Sequence, residues 1–198
     1  MMKTGVRKNP LHPKFIVGIG GSAGALDAYK KLLEALPHIT DMAFVIISHI
    51  NPTANSLLAK ILSRHTKMEV IVASMGMPIR ANHVYVIPPD ADLLIDNYKF
   101  KIISPRSARN KQIDLFFSSL AEAMGTRAIC IILSGYDGDG AEGCKQIKGK
   151  GGITFAQDVS AEVIEMPHSA QASGCVDFVM PLNKIASKLK KISAALKA

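Results

Sequence analysis

The sequence contains little cysteine and no long run of apolar residues. Its three cysteines, Cys130, Cys144 and Cys175, are an odd number and lack the C-x-x-C spacing of redox and metal motifs. This usage is typical of proteins in a reducing compartment, so we expect a cytoplasmic protein. No stretch approaches the about 18 consecutive apolar residues of a membrane-spanning helix, and we therefore expect no membrane insertion.

What the sequence does have is an excess of positive charge. It carries 24 lysines and arginines against 16 aspartates and glutamates, a formal net charge of +8 at pH 7. Such an excess favours acidic partners, although it also suits a plain solvated surface. We expect no nucleic-acid partner, because no basic stretch is interleaved with aromatic residues and no known binding motif occurs. Residues 1–14 are predicted to be a basic tail and residues 15–198 a single domain.

Apolar runs rich in valine and isoleucine alternate with helical patterns along the chain. Strands are expected at Phe15–Gly20, Met42–His49, Glu69–Ala73, Arg127–Leu133, Ile153–Gln157 and Val176–Met180, and helices at Ala25–Leu36, around Leu57–Leu62, and at Asp114–Met124, Gly140–Lys150 and Asn183–Leu196. Continuous apolar strands between helices predict an α/β fold, with a doubly wound, mostly parallel sheet and helices on both faces. Three short strands, His83–Ile87, Leu93–Asp96 and Tyr98–Ile103, are expected to form an antiparallel extension.

A glycine-rich turn, Gly18-Ile19-Gly20-Gly21-Ser22-Ala23-Gly24, joins the first predicted strand to the first helix. Residues Gly20–Gly24 match the G-x-S-x-G pattern, in which the serine is a nucleophile exposed at a sharp strand-to-helix turn. Unpaired backbone N–H groups at a helix start favour developing negative charge there. A serine at this position can also simply cap the helix, so both interpretations of Ser22 stand.

Other polar residues follow two further predicted strands. His49 ends the second strand, and Asp137 and Asp139 follow the strand Arg127–Leu133. Since the carboxyl ends of parallel strands meet at one edge of a sheet, we expect these residues to lie close to Ser22. Histidine can take the proton of a serine hydroxyl, and a carboxylate can orient the histidine. A structural histidine and turn-forming aspartates are the simpler alternatives.

The glycine spacing also permits a different function. Gly18-x-Gly20-x-x-Ala23 after a strand resembles the dinucleotide-binding fingerprint of oxidoreductases. That fold normally has an acidic residue at the end of the second strand, which binds the ribose. Here the second strand ends in Ser48-His49, so the dinucleotide-binding oxidoreductase is the weaker alternative.

Several segments, taken in chain order, resemble the catalytic domain of the CheB-type chemotaxis protein-glutamate methylesterases. The segments are Gly18–Gly24, Ser48-His49-Ile50-Asn51-Pro52, Pro105-Arg106, Ile113-Asp114, Leu133–Gly140, Glu165-Met166-Pro167 and Ala172-Ser173-Gly174. The resemblance extends roughly from Phe15 to Leu189. It implies hydrolysis of glutamate γ-methyl esters, and deamidation of glutamines, on a methylated chemoreceptor-like helical bundle. It also implies that no metal and no cofactor take part.

The resemblance assigns roles to individual residues. It implies that Ser22 is the nucleophile, His49 the base and Asp139 the orienting acid. Asp137 is secondary, because the family often has a small residue at that position. Two backbone donors are implied for the oxyanion, the N–H of Tyr136 and one from the Ser22–Ala23 turn. Arg106 and Met166 are implied substrate contacts.

The chain differs from the pattern of the family at two positions. Ala23 stands where a threonine commonly follows the serine, and His168 stands where an arginine is frequent. The resemblance further implies a free-standing catalytic domain without the phosphoacceptor receiver domain of the best-known members, so no regulator is indicated. A non-catalytic relative that binds receptors is the remaining alternative.

Overall fold

The computed structural model describes residues 12–49 and 55–195. Most of the predicted basic tail, and residues 50–52 of the motif that follows the second strand, lie outside these ranges. Among the residues described, no helix is long and apolar enough to cross a membrane.

Within the described ranges, nine strands form two sheets. The strands are β1 (Phe15–Gly21), β2 (Met42–Ser48), β3 (Glu69–Val72), β4 (His83–Val86), β5 (Asp92–Asp96), β6 (Lys99–Ile103), β7 (Ala128–Ile132), β8 (Ile153–Gln157) and β9 (Phe178–Met180). Seven of them make a parallel sheet in the order β3-β4-β2-β1-β7-β8-β9. The three central strands β2, β1 and β7 are buried along nearly their whole length, as continuous apolar sequence predicts.

Six α-helices of the described part of the chain cover the two faces of this sheet. They are α1 (Ala25–Ala35), α2 (Asn55–Leu62), α3 (Gln112–Met124), α4 (Ala141–Gly149), α5 (Glu165–Ala172) and α6 (Leu182–Ala195). One core packs α1, α2 and α6 on one face, and a second core packs α3, α4 and α5 on the other. In α1 the buried residues are Ala25, Ala28, Tyr29, Leu32 and Leu33, the spacing of a single helical stripe. The predicted doubly wound α/β fold is confirmed.

The antiparallel extension is smaller than expected. In the described part of the chain it consists of β5 and β6, with one further antiparallel bridge between Pro78 and Lys99. In the turn between the two strands, Asn97 and Tyr98 have φ of 47° and 58°. Two positive φ values are what a type I′ hairpin turn requires. The expectation that His83–Ile87 joins this extension was wrong, because His83–Val86 is a parallel strand between β3 and β2. Its connection from β3 is a loop, so the usual helical signal of a parallel crossover is missing.

Helix α5 was not expected from the sequence. Pro167 lies in its first turn, where the missing N–H of proline costs no helical hydrogen bond. The buried residues of this helix are Met166, Pro167 and Ala170, too short a stripe to stand out as a helical pattern. The helix places Met166 beneath the loop that follows β7.

Candidate active site

The register of the sheet brings Ser22 and His49 to the same place. Strands β1 and β2 pair in parallel up to Gly21 opposite Ser48, so Ser22 and His49 are each the next residue after that pair. On the other side of β1, Gly20 lies opposite Ile132 of β7, and the loop that carries Asp139 follows. We call this edge, at the carboxyl ends of the parallel strands, the catalytic edge.

The turn that carries Ser22 is tightly packed. A Cβ on Gly21 would lie 2.5 Å from the Tyr29 hydroxyl oxygen. Gly24 has a φ of +72°, a backbone conformation that residues other than glycine rarely adopt. Gly24, not Ser22, is the residue that caps α1. The Ser22 hydroxyl makes no hydrogen bond within the described part of the chain, so the helix-cap interpretation of Ser22 was wrong.

His49 is held by Asp139. Its Nε2 lies 2.6 Å from Oδ2 of Asp139, and the two side chains are 5% and 0% exposed. Burial acts to lower the pKa of His49, but the contacts with Asp139 and Asp137 outweigh it and raise the pKa above the ordinary value. With Nε2 engaged by Asp139, the other ring nitrogen, Nδ1, is the one left to exchange a proton with a substrate or nucleophile.

The Asp139 carboxylate is itself fixed by the start of α3. The backbone N–H of Ile113 donates to Oδ2 at 3.0 Å, and the N–H of Asp114 donates to Oδ1 at 2.8 Å. Burial would raise the pKa of Asp139, but the hydrogen bonds from His49, Asp114 and Ile113 prevail and lower it. The carboxylate therefore stays charged beside His49, where it favours the imidazolium form.

Asp114 has a structural role that the sequence analysis does not assign. Its Oδ1 accepts the N–H groups of Gly140 and Gly143, both at 2.8 Å. These bonds fix the start of α4, directly after Asp139. Burial raises the pKa of Asp114, as does the charge of Asp139, against the lowering effect of the Gly143 and Gly140 N–H groups. The available signal was an acidic residue in the first turn of a predicted helix.

Asp137 lies on the other side of the His49 ring from Asp139. Its Oδ2 is 3.2 Å from Nδ1 of His49, without the alignment of a hydrogen bond. Its Oδ1 accepts the N–H of Asp139 at 3.1 Å, so Asp137 is also a turn-forming aspartate. The resemblance implies that Asp137 is secondary to Asp139. In the structure both carboxylates lie within 3.2 Å of a ring nitrogen of His49.

The chain is similar to proteins of one family over most of its length. The family model described as CheB methylesterase matches residues 17–189. This chain belongs to the CheB methylesterase family. A relative from Leptospira interrogans, provisionally named protein-glutamate methylesterase/protein-glutamine glutaminase, is 35% identical over 172 residues, covering 85% of this chain and 89% of the relative.

Other relatives are longer or are known in three dimensions. A protein-glutamate methylesterase/protein-glutamine glutaminase of Vibrio vulnificus is 36% identical over 178 residues, and the chain spans about half of it, 51%. The match covers 86% of this chain. The crystal structure of the Thermotoga maritima CheB methylesterase catalytic domain superposes with a TM-score of 0.83 at 28% identity, over 90% of this chain and 98% of that one. Membership in this family replaces the dinucleotide-binding alternative.

For a CheB methylesterase family member, the backbone N–H groups near Ser22 are of direct interest. The N–H of Ser22 donates to the Ser134 carbonyl at 2.9 Å and is not free. The oxyanion donor expected from the Ser22–Ala23 turn is therefore the N–H of Ala23. Among the described residues, the N–H groups of Ala23 and Tyr136 have no acceptor. Both N–H groups expected to receive an oxyanion are therefore without a partner in this part of the structure, and that role stays a prediction.

Ser134, to which the sequence analysis assigns no role, ties the Ser22–Ala23 turn to the loop of Val163. Its buried hydroxyl donates to the Ala23 carbonyl at 2.8 Å and accepts the N–H of Val163 at 2.9 Å. One side chain thus bridges three loops of the catalytic edge. A serine directly after an apolar strand was the signal, although many such serines have no comparable role.

The two expected substrate contacts lie in different surroundings. Met166 is 1% exposed, and a Cβ on Gly135 would lie 2.6 Å from its Cε and 3.1 Å from Cβ of Ser22. Arg106 follows β6, and its Nε lies 3.5 Å from Oδ1 of Asp90. Substrate contact by either residue stays a prediction. Within the ranges described, no three His, Cys, Asp or Glu side chains are arranged to hold a metal ion.

Proposed function

We propose that this chain is a protein-glutamate methylesterase that hydrolyses glutamate γ-methyl esters on a chemoreceptor-like helical bundle, yielding glutamate and methanol. The observation that supports it most directly is a buried histidine held by a buried carboxylate, Nε2 to Oδ2 2.6 Å, next to the strand end from which Ser22 emerges. A serine hydroxyl is a weak nucleophile until such a base removes its proton.

The first half of the reaction forms an acyl-enzyme. Nδ1 of His49 takes the Ser22 proton as the hydroxyl oxygen attacks the ester carbonyl, and Asp139 stabilises the imidazolium through Nε2. In an unliganded site such a serine–histidine hydrogen bond is often long, so its absence here agrees with this role. His49 then gives the proton to the departing methoxide, which leaves as methanol.

The backbone N–H groups of Ala23 and Tyr136 receive the negative oxygen of the tetrahedral intermediate. A single donor of this kind lowers the barrier by about 3 kcal/mol in other serine hydrolases. In the second half of the reaction His49 activates a water molecule, which attacks the acyl-enzyme and frees Ser22. None of these steps uses a metal or an organic cofactor.

The same site suits glutamine deamidation. Attack of Ser22 on a glutamine side-chain amide forms the same acyl-enzyme, and His49 gives its proton to the leaving amide nitrogen, which departs as ammonia when the C–N bond breaks. The relatives from Leptospira interrogans and Vibrio vulnificus carry both activities in their names. We therefore include protein-glutamine glutaminase activity in the proposal.

The partner side of the proposal rests on exposed apolar residues at the catalytic edge. Tyr136, Val159 and Ile164 are 69%, 90% and 50% exposed and form what we call the apolar rim. Hydrogen bonds from Gly135 to Val163 and from Met166 to Gly135 join the loops of Tyr136 and Ile164. Exposed apolar surface beside a reactive centre suits a protein substrate that presents its side chain from a helix.

Part of the positive charge lies on α6, which begins just after the carboxyl end of β9 and runs towards the opposite edge of the sheet. The lysines of α6 are spread along this helix. Near its end, the Ser193 hydroxyl donates to the carbonyl of Thr40, which precedes β2. That contact is at the edge opposite the catalytic edge. The proposed acidic partner, a glutamate-rich bundle in the cytoplasm, would contact the apolar rim and would reach the later lysines of α6 where it extends along the domain.

A direct test measures methanol released from a methylated receptor fragment by the wild type and by Ser22→Ala. The variant should keep its circular dichroism spectrum and lose activity by several orders of magnitude. Ser187→Ala, on the exposed surface of α6, is the matched control and should keep full activity. Labelling of folded wild type, but not of Ser22→Ala, by a fluorophosphonate separates this proposal from a non-catalytic receptor-binding relative. Wild-type activity in Ser22→Ala would remove the serine mechanism.

A further inference from the structure

The position of Asp137 has a consequence for the base of the reaction. One of its carboxylate oxygens, Oδ1, is tied to the N–H of Asp139 at 3.1 Å. The other, Oδ2, lies 3.2 Å from Nδ1 of His49. The imidazole thus has a carboxylate on each ring nitrogen, Asp139 on Nε2 and Asp137 on Nδ1.

These two nitrogens have different tasks in the proposed reaction. Nε2 stays bound to Asp139 throughout, whereas Nδ1 has to accept the proton of Ser22. A negative oxygen 3.2 Å from Nδ1 attracts a proton onto that same nitrogen. A ring that already carries a proton on Nδ1 cannot act as the base.

We propose that Asp137 is a positioning residue that holds a proton on Nδ1 of His49 in the resting site, so that the base forms only when that proton leaves. This proposal rests on the proposed function, because it concerns the availability of the same base. It also explains why Ser22 and His49 share no hydrogen bond in the described part of the chain: Asp137 stands at the nitrogen that Ser22 needs.

The other charged groups around His49 do not duplicate this effect. Asp139 acts through the opposite nitrogen, and Asp114 of α3 stands behind Asp139, bound to the start of α4. Lys111 lies 3.4 Å from Asp114 with its own side chain 59% exposed. Ser22, on the β1 side, is uncharged. Asp137 is thus the charged side chain that faces Nδ1 among the residues described.

Asp137 differs from Asp139 in how firmly it is held. Its side chain is 30% exposed, whereas that of Asp139 is 0% exposed and accepts two backbone N–H groups as well as His49. The pKa of His49 is raised by both carboxylates, against the lowering effect of burial. Removal of the Asp137 charge should therefore lower that pKa while the fold and the Asp139 contact persist.

The test compares the wild type with Asp137→Asn and Asp158→Asn. Asparagine at 137 keeps an oxygen for the N–H of Asp139 and removes the charge. Asp158 is a matched control, because its Oδ1 likewise accepts the N–H of the residue two positions later, Ser160, at 3.0 Å. The ring nitrogens of His49 are titrated by nitrogen-15 NMR, and kcat/KM for a methylated receptor fragment is measured against pH.

Asp137→Asn should lower the midpoint of the His49 titration by about 1 pH unit. The rising limb of kcat/KM should move by the same amount, so that the variant is up to about tenfold faster than wild type below the wild-type midpoint. Asp158→Asn should change neither curve.

Unchanged midpoints in both the NMR and the kinetic titrations of a folded Asp137→Asn would overturn the proposal. The two hypotheses fail in different ways. If activity is lost in Ser22→Ala but the His49 midpoint is the same in Asp137→Asn and wild type, the role of Asp137 is rejected and the proposed function stands. Full activity in Ser22→Ala rejects the proposed function, and the role of Asp137 with it, even where the NMR midpoint moves.

Discussion

Asp114 and Asp139 each bind the start of a helix next to the other residue. Asp139 binds the start of α3, which carries Asp114, and Asp114 binds the start of α4, which follows Asp139. The Asp139 carboxylate accepts the N–H groups of Ile113 and Asp114 in the first turn of α3, and the Asp114 carboxylate accepts those of Gly140 and Gly143 at the start of α4. Negative charge at a helix N-terminus is favourable, so each contact stabilises its helix. Together they fix the oxygen that His49 meets.

Asp114→Ala should therefore destabilise the protein and weaken catalysis together. It leaves the N–H groups of Gly140 and Gly143 without their acceptor, which typically costs about 1–3 kcal/mol for a buried donor. Because both groups bind the same oxygen, Asp114→Asn can keep both bonds and should recover most of the loss. Unfolding in urea measures the free energy, and methanol release measures activity.

The matched control for Asp114 is Asp27→Ala, since Asp27 also lies in the first turn of a helix but binds only the exposed Lys30 side chain. Its unfolding free energy should stay within about 0.5 kcal/mol of wild type. Equal losses in Asp114→Asn and Asp114→Ala would contradict the capping role, because the asparagine oxygen should replace the lost acceptor.

Asp139→Asn should lower kcat by roughly 10²- to 10⁴-fold. It should also destabilise the protein by about 1–3 kcal/mol, because both carboxylate oxygens accept backbone N–H groups and the asparagine NH2 replaces one of these oxygens. The amide nitrogen of asparagine would donate to Nε2 of His49, which selects the tautomer with its proton on Nδ1. That tautomer cannot accept the Ser22 proton. Steady-state kinetics on a methylated receptor fragment give kcat, and the fluorophosphonate labelling rate reports the nucleophile separately. A variant with wild-type kcat would show that Asp139 does not orient the base.

The apolar runs of the sequence were enough to place Ser22, His49 and Asp139 at one edge of a parallel sheet. The ends of β1, β2 and β7 can be predicted because these strands are buried, and a buried strand is recognised from its own continuous apolar sequence. The contacts of the carboxylates were not predictable in this way. Asp139 meets backbone groups of α3 that are 25 and 26 residues away, and such a contact depends on how two helices pack. His83–Val86 was misplaced for the same reason, since strand order is a property of packing.

The contact of His49 with two carboxylates should make stability depend on pH. Because the pKa of His49 in the folded protein is above its ordinary value of 6.5, its stabilising contribution is complete below about pH 6.5 and is lost as the pH rises through the folded value. The pKa of Asp139 is below its ordinary value of 3.8, so its contribution is complete above that pH and is lost as the pH falls through the lower folded value.

The ion pair is therefore fully formed between about pH 3.8 and pH 6.5. Urea unfolding of wild type and His49→Gln at pH 6 and pH 9 tests this, since glutamine carries no charge at either pH. The stability advantage of the wild type should be larger at pH 6. An advantage that is the same at both pH values, or larger at pH 9, would mean that His49 is not protonated between the two carboxylates.

The apolar rim should affect substrate binding and not chemistry. Val159 is 90% exposed and contacts little of the protein itself, so Val159→Ser should leave the unfolding free energy within about 0.5 kcal/mol of wild type. If the receptor helix rests on this residue, KM for a methylated receptor fragment should rise several-fold while kcat stays unchanged. Loss of apolar contact removes binding that substrate and transition state share, which is why kcat is spared.

Val179→Ser supplies the matched control, because Val179 is 46% exposed on the edge strand β9 and is not part of the rim. Its KM should equal that of the wild type. A small soluble methyl ester, too short to reach the rim, should be hydrolysed equally well by wild type and both variants. A raised KM for that small ester in Val159→Ser would place Val159 at the reacting centre itself, and an unchanged KM for the receptor fragment would move the docking surface away from the rim.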